Sequence, residues 1–457
     1  MQTEPVVIEQ FFLGCLAHAS YMVCSGGVAA VIDPQRDVDI YIEAAEQRGL
    51  KIEHIIETHL HADFVSGHRE LAERTGARIY IGAASGAAFP HTPVKDCDSI
   101  EFGSCRFDFL ETPGHTVESV CVVMTDPARP KVAFTGDTLF VGDVGRPDLS
   151  GDHTPQELAA MLYKSLHEKL LKLPDDTEIF PAHGAGSLCG RQMSSERSST
   201  IGKERCFNYA LQARTSDEFI RLLTDSLPPR PEYFGRDVEL NRQGASALDQ
   251  LPPPMPLRAD EILRLQSEGA IILDTRPPMQ FAVAHVPGSV HIGLSGQYAS
   301  WAARILGLDK RIILVGEDAD HLRESQLRLA RVGIEHVDAY LEGGIAGWIG
   351  GGHELDYIPQ ISPQEFAQLL ENEKDQVEVL DVREPGEVAA GAIENSVRVP
   401  LGQLDGRTDE LDRKKLIVVH CKGGYRSSIA TSILRRAGFR EIANLSGGFD
   451  AWQAAGH

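Results

Sequence analysis

An α/β fold class shared among three units is what this 457-residue sequence predicts. Three observations carry the prediction. Short β-branched runs alternate with amphipathic stretches through the first half, proline-dense segments interrupt the middle, and the second half repeats itself. A chain this long exceeds one hydrophobic core, and roughly 150 residues per domain gives about three domains.

The first half opens on loops rich in Gly, His and Asp between short apolar runs. Val28 to Asp33 reads as a buried strand, Val38 to Gly49 as an amphipathic helix, and Ile52 to Thr58 as a strand that delivers His59-Leu60-His61-Ala62-Asp63-Phe64. Further strands are expected at Arg78 to Ile81, Arg106 to Glu111, Ser119 to Thr125 and Lys131 to Thr135. Each candidate ligand then follows a strand, where a rigid scaffold can present it. Proline density at Leu227 to Pro231 and Leu251 to Pro256 predicts an extended connector, with a domain boundary near residue 250.

Beyond the connector, Asp274-Thr275-Arg276-Pro277 answers to Asp381-Val382-Arg383-Glu384, a spacing of 381 − 274 = 107 residues. Gly343-Gly344 with Trp348 answers to Gly447-Gly448 with Trp452, a spacing of 452 − 348 = 104. Two copies of a fold with a parallel α/β sheet follow. The expected domains are 1–250, 251–355 and 356–457.

Composition narrows the function classes. The hydrophobic share of 42% and charged share of 24% are ordinary for a soluble globular chain, and no apolar run approaches the roughly 20 residues that span a bilayer. Met1 to Phe12 lacks a basic segment leading into an apolar one, so a cytoplasmic location is expected. A net charge of −22 argues against nucleic acid and anionic membranes as partners. Eight cysteines without a CxxC pair are expected as reduced thiols.

Four segments offer metal ligands: His59-x-His61-x-Asp63, Pro113-Gly114-His115, Gly136-Asp137 and Pro181-Ala182-His183. A lone histidine is more often structural, but four such segments at strand ends form a strong constellation. Phe64 stands where a two-metal loop of this kind carries another imidazole, so a single metal is expected. The segments resemble the metallo-β-lactamase superfamily over roughly residues 6 to 215, which implies an αββα sandwich. Within it the chain is similar to the persulfide dioxygenases, which resemble glyoxalase II but hold one iron. That resemblance implies Fe(II) bound by His59, His115 and Asp137, with His61, Asp63 and His183 hydrogen-bonding ligands or water around it. Two histidines and one carboxylate leave open positions, as non-haem Fe(II) oxygenases require. The implied reaction oxidises a thiol persulfide with O2 to sulfite and free thiol. The rival is a thioester hydrolase of the glyoxalase II type using Zn(2+).

Among cationic residues, Arg146 in Gly145-Arg146-Pro147-Asp148 is either a substrate contact or half of an ion pair with Asp148. Arg191 and Arg205 are candidates for the carboxylates of a thiol cofactor, while Cys189 and Cys206 are left without a role.

His420-Cys421-Lys422-Gly423-Gly424-Tyr425-Arg426 follows an apolar strand and precedes a helix. That placement sets a thiolate over backbone N–H groups at a helix N-terminus, with Lys422 and Arg426 expected to stabilise it. Tyrosine phosphatases build a similar cradle, and spacing alone does not separate the two. The Asp381-x-Arg383-Glu384 and Gly447-Gly448-x-x-x-Trp452 segments resemble the rhodanese sulfurtransferases instead, with Cys421 and Arg426 as the implied catalytic pair. In the first copy an offset of 438 − 333 = 105 puts Gly316 at the cysteine position and His321 at the arginine position. Its loop carries Glu317, Asp318 and Asp320, so this copy is expected to be inactive.

The order of domains resembles fused persulfide dioxygenase/sulfurtransferases of sulfide detoxification, in which sulfite can accept sulfur to give thiosulfate. The implied partners are a small thiol persulfide, O2, and sulfite or thiosulfate. A homo-oligomer is expected.

Overall fold

The computed structural model describes residues 6–457 apart from Asp152, Ser226 and Pro228. It divides into two compact units, one reaching to Leu251 and including Ala330–Gly333, the other holding Pro252–Leu329 and Ile334–His457. Among the described residues no helix is long and apolar enough to cross a membrane.

The first unit has two six-stranded sheets. One runs β1 (Val7–Leu13), β2 (His18–Ser25), β3 (Val28–Ile32), β4 (Lys51–Glu57), β5 (Arg78–Gly82), β6 (Thr92–Val94). The other, from its far edge, runs β12 (Ser199–Thr200), β11 (Glu178–Pro181), β10 (Val132–Gly136), β9 (Val120–Thr125), β8 (Cys105–Glu111), β7 (Ser99–Phe102). Alternation along each strand sorts side chains into three layers. Tyr21, Val23, Ile32 and Ile56 meet Phe107, Phe109, Val122 and Phe134 between the sheets. Met22, Val31 and Ile55 face outward onto Tyr41 and Ala45 of α1 (Asp39–Gln47) and Leu71 of α2 (His68–Thr75). On the far side Val123 and Ala133 meet Leu162 of α3 (Pro155–Lys164), Ile201 of α4 (Ile201–Phe207) and Phe219 of α5 (Ser216–Thr224). The layering is αββα, as the sequence implies.

Two departures from the sequence reading matter. β1 and β2 were not foreseen, because β2 is buried at every position and mixes His, Ser, Tyr and Cys, which hides the strand period. The proline-flanked stretch is not wholly extended either. Pro228 lies outside the described residues, but α6 (Phe234–Gln243) forms between the two proline clusters and buries Asp237 and Asn241.

The second unit carries two five-stranded parallel sheets of matching strand order. The first orders Met255–Leu257, Val337–Leu341, Ile312–Val315, Ile271–Asp274, Val290–His291. The second orders Gln360–Ile361, Ile442–Leu445, Leu416–His420, Val377–Asp381, Val397–Arg398. The repeat read from sequence is thus a repeat of topology. Both Asp-x-Arg motifs fold alike: Arg276 donates to Asp274 and to the Ala284 carbonyl, and Arg383 donates to Asp381 and to the Gly391 carbonyl. A feature shared by both copies marks the fold and not the chemistry.

Candidate metal centre and sulfur-transfer loop

β4 ends at Glu57, and the chain turns sharply into the His59 loop. Asp33, with φ 51° in the left-handed region, follows β3 and accepts from the Thr58 N–H at 2.7 Å and the Thr58 hydroxyl at 2.9 Å. With its proton given to Asp33, the Thr58 hydroxyl accepts from His59 Nδ1 at 3.0 Å. That relay leaves the His59 Nε2 lone pair free to point inward.

His115 is set in a parallel way. Its Nδ1 is 3.0 Å from the Arg146 carbonyl, so Nε2 presents a lone pair. Gly145 makes this approach possible: a Cβ there would lie 2.0 Å from the Asp137 carbonyl and 2.8 Å from His115 Nδ1. His115 Nε2 and Asp137 Oδ2 are 3.3 Å apart, both buried and without a hydrogen-bond partner. His59 Nε2 lies 3.7 Å from the same oxygen. Burial keeps both imidazoles below the usual histidine range. It works against the Asp137 charge too, but His183 and His59 outweigh it and hold that carboxyl well below its usual range. Two neutral nitrogen donors and one carboxylate therefore face a common point, with ligand atoms within 4.8 Å of one another.

His61 does not join them. Its Nε2 sits 3.3 Å from Asp33 and 3.8 Å from Glu57, and those three residues form their own buried group. Burial opposes protonation of His61, but the Asp33 charge prevails and raises it. Burial pushes Glu57 up to about 8. Phe64 is fully buried and packs its ring 4.4 Å from that of His61 and 4.0 Å from that of His18. It is an apolar wall where an imidazole would have been a donor.

Asp63 and His183 do come together, and with a residue the sequence left unassigned. Asp63, His183 and Cys189 bring ligand atoms within 4.8 Å of one another, all buried. His183 Nδ1 is 2.8 Å from Asp137 Oδ1, and its Nε2 is 3.0 Å from Asp63 Oδ2. Burial would lower His183, but Asp137 and Asp63 hold it well above its usual range. Burial, then the same two carboxylates, push the Cys189 thiol up. Cys206, by contrast, is exposed.

Of the two readings of Arg146 the structure shows the ion pair, and Arg191 and Arg205, read as candidates for a cofactor's carboxylates, have protein partners. Arg146 pairs with Asp148 at 2.7 Å through both Nε and Nη2, and donates to the Leu188 carbonyl. Arg191 donates to the carbonyls of Leu222 and Leu223, capping the end of α5. Arg205 reaches Asp175 and the Leu171 carbonyl on the surface.

Several contributors went unforeseen. Asn241 of α6 accepts from the Ser66 N–H at 2.7 Å and donates to the His61 and Phe64 carbonyls, each at 2.8 Å. One side chain from 180 residues away thus fixes the backbone of the ligand loop. Glu118 accepts from the Leu60 N–H in the same loop. His18, from unforeseen β2, is buried with both ring nitrogens unpartnered. Nothing in local pattern flags Asn241, but Cys189, six residues after His183, could have been read as part of that ligand segment.

In the second unit Cys421 follows the central strand Leu416–His420, and its Sγ accepts from the Gly424 N–H at 3.1 Å. Gly424, at φ 109°, opens the helix Tyr425–Arg436. Arg426 does not turn to the sulfur: its Nη1 and Nη2 bind Glu387 at 2.6 and 2.7 Å. Hydrogen bonding to Arg426 lowers Glu387, and Glu387 in turn raises Arg426, with Cys421 contributing less. Lys422 is exposed at the rim. The expected pair of cations over the thiolate is thus one exposed lysine and one neutralised arginine. In the first repeat Gly316 occupies the cysteine position, where a Cβ would lie 2.9 Å from the Leu322 side chain and 3.2 Å from that of His321. The pocket is filled as well as unarmed.

Fold and site together define a two-sheet sandwich with a buried group of metal-ligand residues, joined to a duplicated parallel α/β domain. The metallo-β-lactamase superfamily model matches residues 13–183, and the rhodanese-like domain model matches 258–350 and 362–455. The chain is 31% identical over 245 residues to the mitochondrial persulfide dioxygenase of Bos taurus, covering 52% of this chain and 88% of that one. It is 33% identical over 178 residues to a hydroxyacylglutathione hydrolase of Francisella philomiragia, covering 38% of this chain and 67% of that one. A metallo-beta-lactamase crystal structure from Staphylococcus aureus aligns with TM-score 0.66 at 31% identity, over 75% of this chain and 99% of that one. The chain belongs to the metallo-β-lactamase superfamily, in its persulfide dioxygenase group, fused to two rhodanese-like domains.

Proposed function

We propose that this protein oxidises a low-molecular-weight thiol persulfide, such as glutathione persulfide, and passes sulfane sulfur through Cys421. The overall change at the first centre is R–S–S⁻ + O2 + H2O → R–SH + SO3²⁻ + H⁺. The observation that carries this reading is the facing set of His59, His115 and Asp137, with His115 Nε2 and Asp137 Oδ2 buried and unpartnered. Orphaned lone pairs cost folding free energy unless a cation satisfies them, and two imidazoles with one carboxylate suit Fe(II). Held by His59, His115 and Asp137, Fe(II) would supply the redox chemistry by which dioxygen oxidises a sulfur anion. The protein's part is to hold tautomers: Thr58 and the Arg146 carbonyl each occupy an Nδ1, so both donor nitrogens stay aimed without reorganisation. Asp63 and His183 border the same space and hold its water and protons in place.

At the second centre Cys421 carries the sulfane sulfur, and Cys–S–SH + SO3²⁻ → Cys–SH + S2O3²⁻ removes the sulfite formed at the first. The first repeat has Gly316 where a nucleophile would stand and carries no sulfur itself. Oxygen uptake and metal content on glutathione persulfide test the proposal. Iron-dependent uptake is expected, with Cys421→Ser losing thiosulfate but keeping uptake. A zinc protein with no uptake overturns the dioxygenase reading, and unchanged thiosulfate from Cys421→Ser overturns the role of that thiol.

A second reading has one observation in its favour. Cys189 stands beside Asp63 and His183 and could replace the ligand lost at Phe64, giving a second Zn(2+) and a glyoxalase II-like thioester hydrolase. Two zinc equivalents with thioester turnover would establish it.

A further inference from the structure

The Cys421 loop contains little that could hold itself in shape. Gly423 and Gly424 carry no side chains, and a Cβ built on either meets nothing within 4 Å. A cradle of N–H groups nevertheless works only if those groups are held still before sulfur arrives. One face of the loop is anchored by its own repeat, where the N–H groups of Phe449 and Asp450 donate to the Cys421 and Lys422 carbonyls at 2.8 and 3.0 Å.

The opposite face is anchored by the other repeat. Tyr425, next to Gly424, donates its hydroxyl to the Gly293 carbonyl at 2.8 Å. One turn further along the same helix, the Ser428 hydroxyl meets His291 Nδ1 at 2.9 Å. His291 Nε2 is 2.9 Å from the Arg276 carbonyl, an acceptor, so Nε2 carries the proton and Nδ1 accepts from Ser428. The His291 N–H also donates to Ser432 at 3.0 Å. His291 is wholly buried between its carbonyl partner and the helix, so its two nitrogens are spoken for and cannot swing away.

We infer that His291, with Gly293, is a positioning element for the Cys421 loop: the repeat without a nucleophile supplies the outer half of the mould that keeps the Gly424 N–H on the sulfur. This gives the first repeat a part in the proposed sulfur transfer that requires no chemistry of its own. It rests on the reading of Cys421 as the sulfur carrier, but the geometry it claims can be measured without turnover.

The experiment uses the full-length iron-loaded protein and follows alkylation of Cys421 by iodoacetamide against pH, read by peptide mass spectrometry, alongside thiosulfate:cyanide sulfur transfer. Tyr425→Phe keeps the ring and removes the hydroxyl that donates to the Gly293 carbonyl, and His291→Leu removes both side-chain bonds. Each is expected to shift the alkylation profile to higher pH and to lower kcat by about tenfold with little change in KM, since misplaced groups cost rate more than binding. His291→Gln, which can still accept from Ser428 and donate to the Arg276 carbonyl, is expected to restore most of both. Oxygen uptake on persulfide monitors the fold of the other unit and should not move. An alkylation profile unchanged in Tyr425→Phe and His291→Leu overturns the inference, as does a His291→Gln variant no better than His291→Leu. If the parent protein shows no sulfur transfer at all, the function proposed for Cys421 fails, while the alkylation profiles still decide the bracing.

Discussion

Two ligand clusters share one buried space in the first unit, and they are not equivalent. In the His59, His115 and Asp137 cluster, each imidazole has its outer nitrogen occupied by a neutral oxygen, Thr58 or the Arg146 carbonyl. In the Asp63, His183 and Cys189 cluster, His183 has a carboxylate beside each nitrogen, Asp137 at 2.8 Å from Nδ1 and Asp63 at 3.0 Å from Nε2, and both raise its pKa. The difference teaches that the outer partner of a histidine, more than the histidine itself, decides whether a group of ligand-type residues is ready for metal.

The largest effect should come from the first cluster. His115→Ala or Asp137→Ala removes a donor and is expected to strip iron and cut oxygen uptake by well over the 10- to 100-fold, roughly, that loss of a residue around a ligand costs. Asp63→Ala and Cys189→Ser should stay within about 100-fold and keep their iron. Iron content by atomic absorption, paired with uptake rates, checks this. Equal loss of iron from both clusters would erase the distinction between them.

Phe64→His probes the comparison from the other side. Phe64 now packs against His18 and His61, and a histidine there would offer a third ligand beside Asp63 and His183. Zinc binding is expected to rise from one equivalent per chain to two, measured by titration with a competing chelator. An unchanged single equivalent would mean that the doubly gripped His183, and not the missing ligand, blocks the second site.

How legible this centre was depends on which forces make it. The donors themselves stand at strand ends, and strand period and loop position expose them in sequence. Phe64 is likewise legible, because a phenyl ring in a ligand position has no donor chemistry to hide. His61 is not: its capture by Asp33 and Glu57 depends on the turn after β3, made by an aspartate at positive φ that no local pattern announces. The Asp148 partner of Arg146 was legible as one of two readings, whereas the partners of Arg191 and Arg205 were not. Guanidinium groups find carbonyls and carboxylates nearby in the fold, and those partners lie as far as 42 residues off in sequence. The same holds for the rhodanese-like repeats, where the strand–Cys421–helix loop was legible but the Glu387 that pairs with Arg426 was not.

Asn241 carries a smaller prediction about how the first cluster is kept in place. Its side chain satisfies the Ser66 N–H and two loop carbonyls at the back of the ligand loop, all in buried surroundings. Asn241→Leu keeps the volume but leaves those backbone groups unpaired, at a cost of about 1–3 kcal/mol. The denaturation midpoint should fall accordingly, and iron should leave faster, while the kcat of protein that retains its iron changes little.

The smallest effect is expected at Arg205. Its ion pair with Asp175 is exposed, with side-chain accessibilities of 43% and 67%, and such pairs are worth about 0–1 kcal/mol. Arg205→Ala should therefore leave both KM for persulfide and stability nearly unchanged, because the side chain spends its charge on Asp175 and the Leu171 carbonyl instead of on a substrate carboxylate. A clear rise in KM, with stability unmoved, would put the thiol's carboxylates back on Arg205 and require it to leave Asp175 when substrate binds. Salt dependence separates the cases: a substrate carboxylate held by Arg205 would make KM rise steeply with ionic strength, whereas the surface pair seen here predicts a flat response.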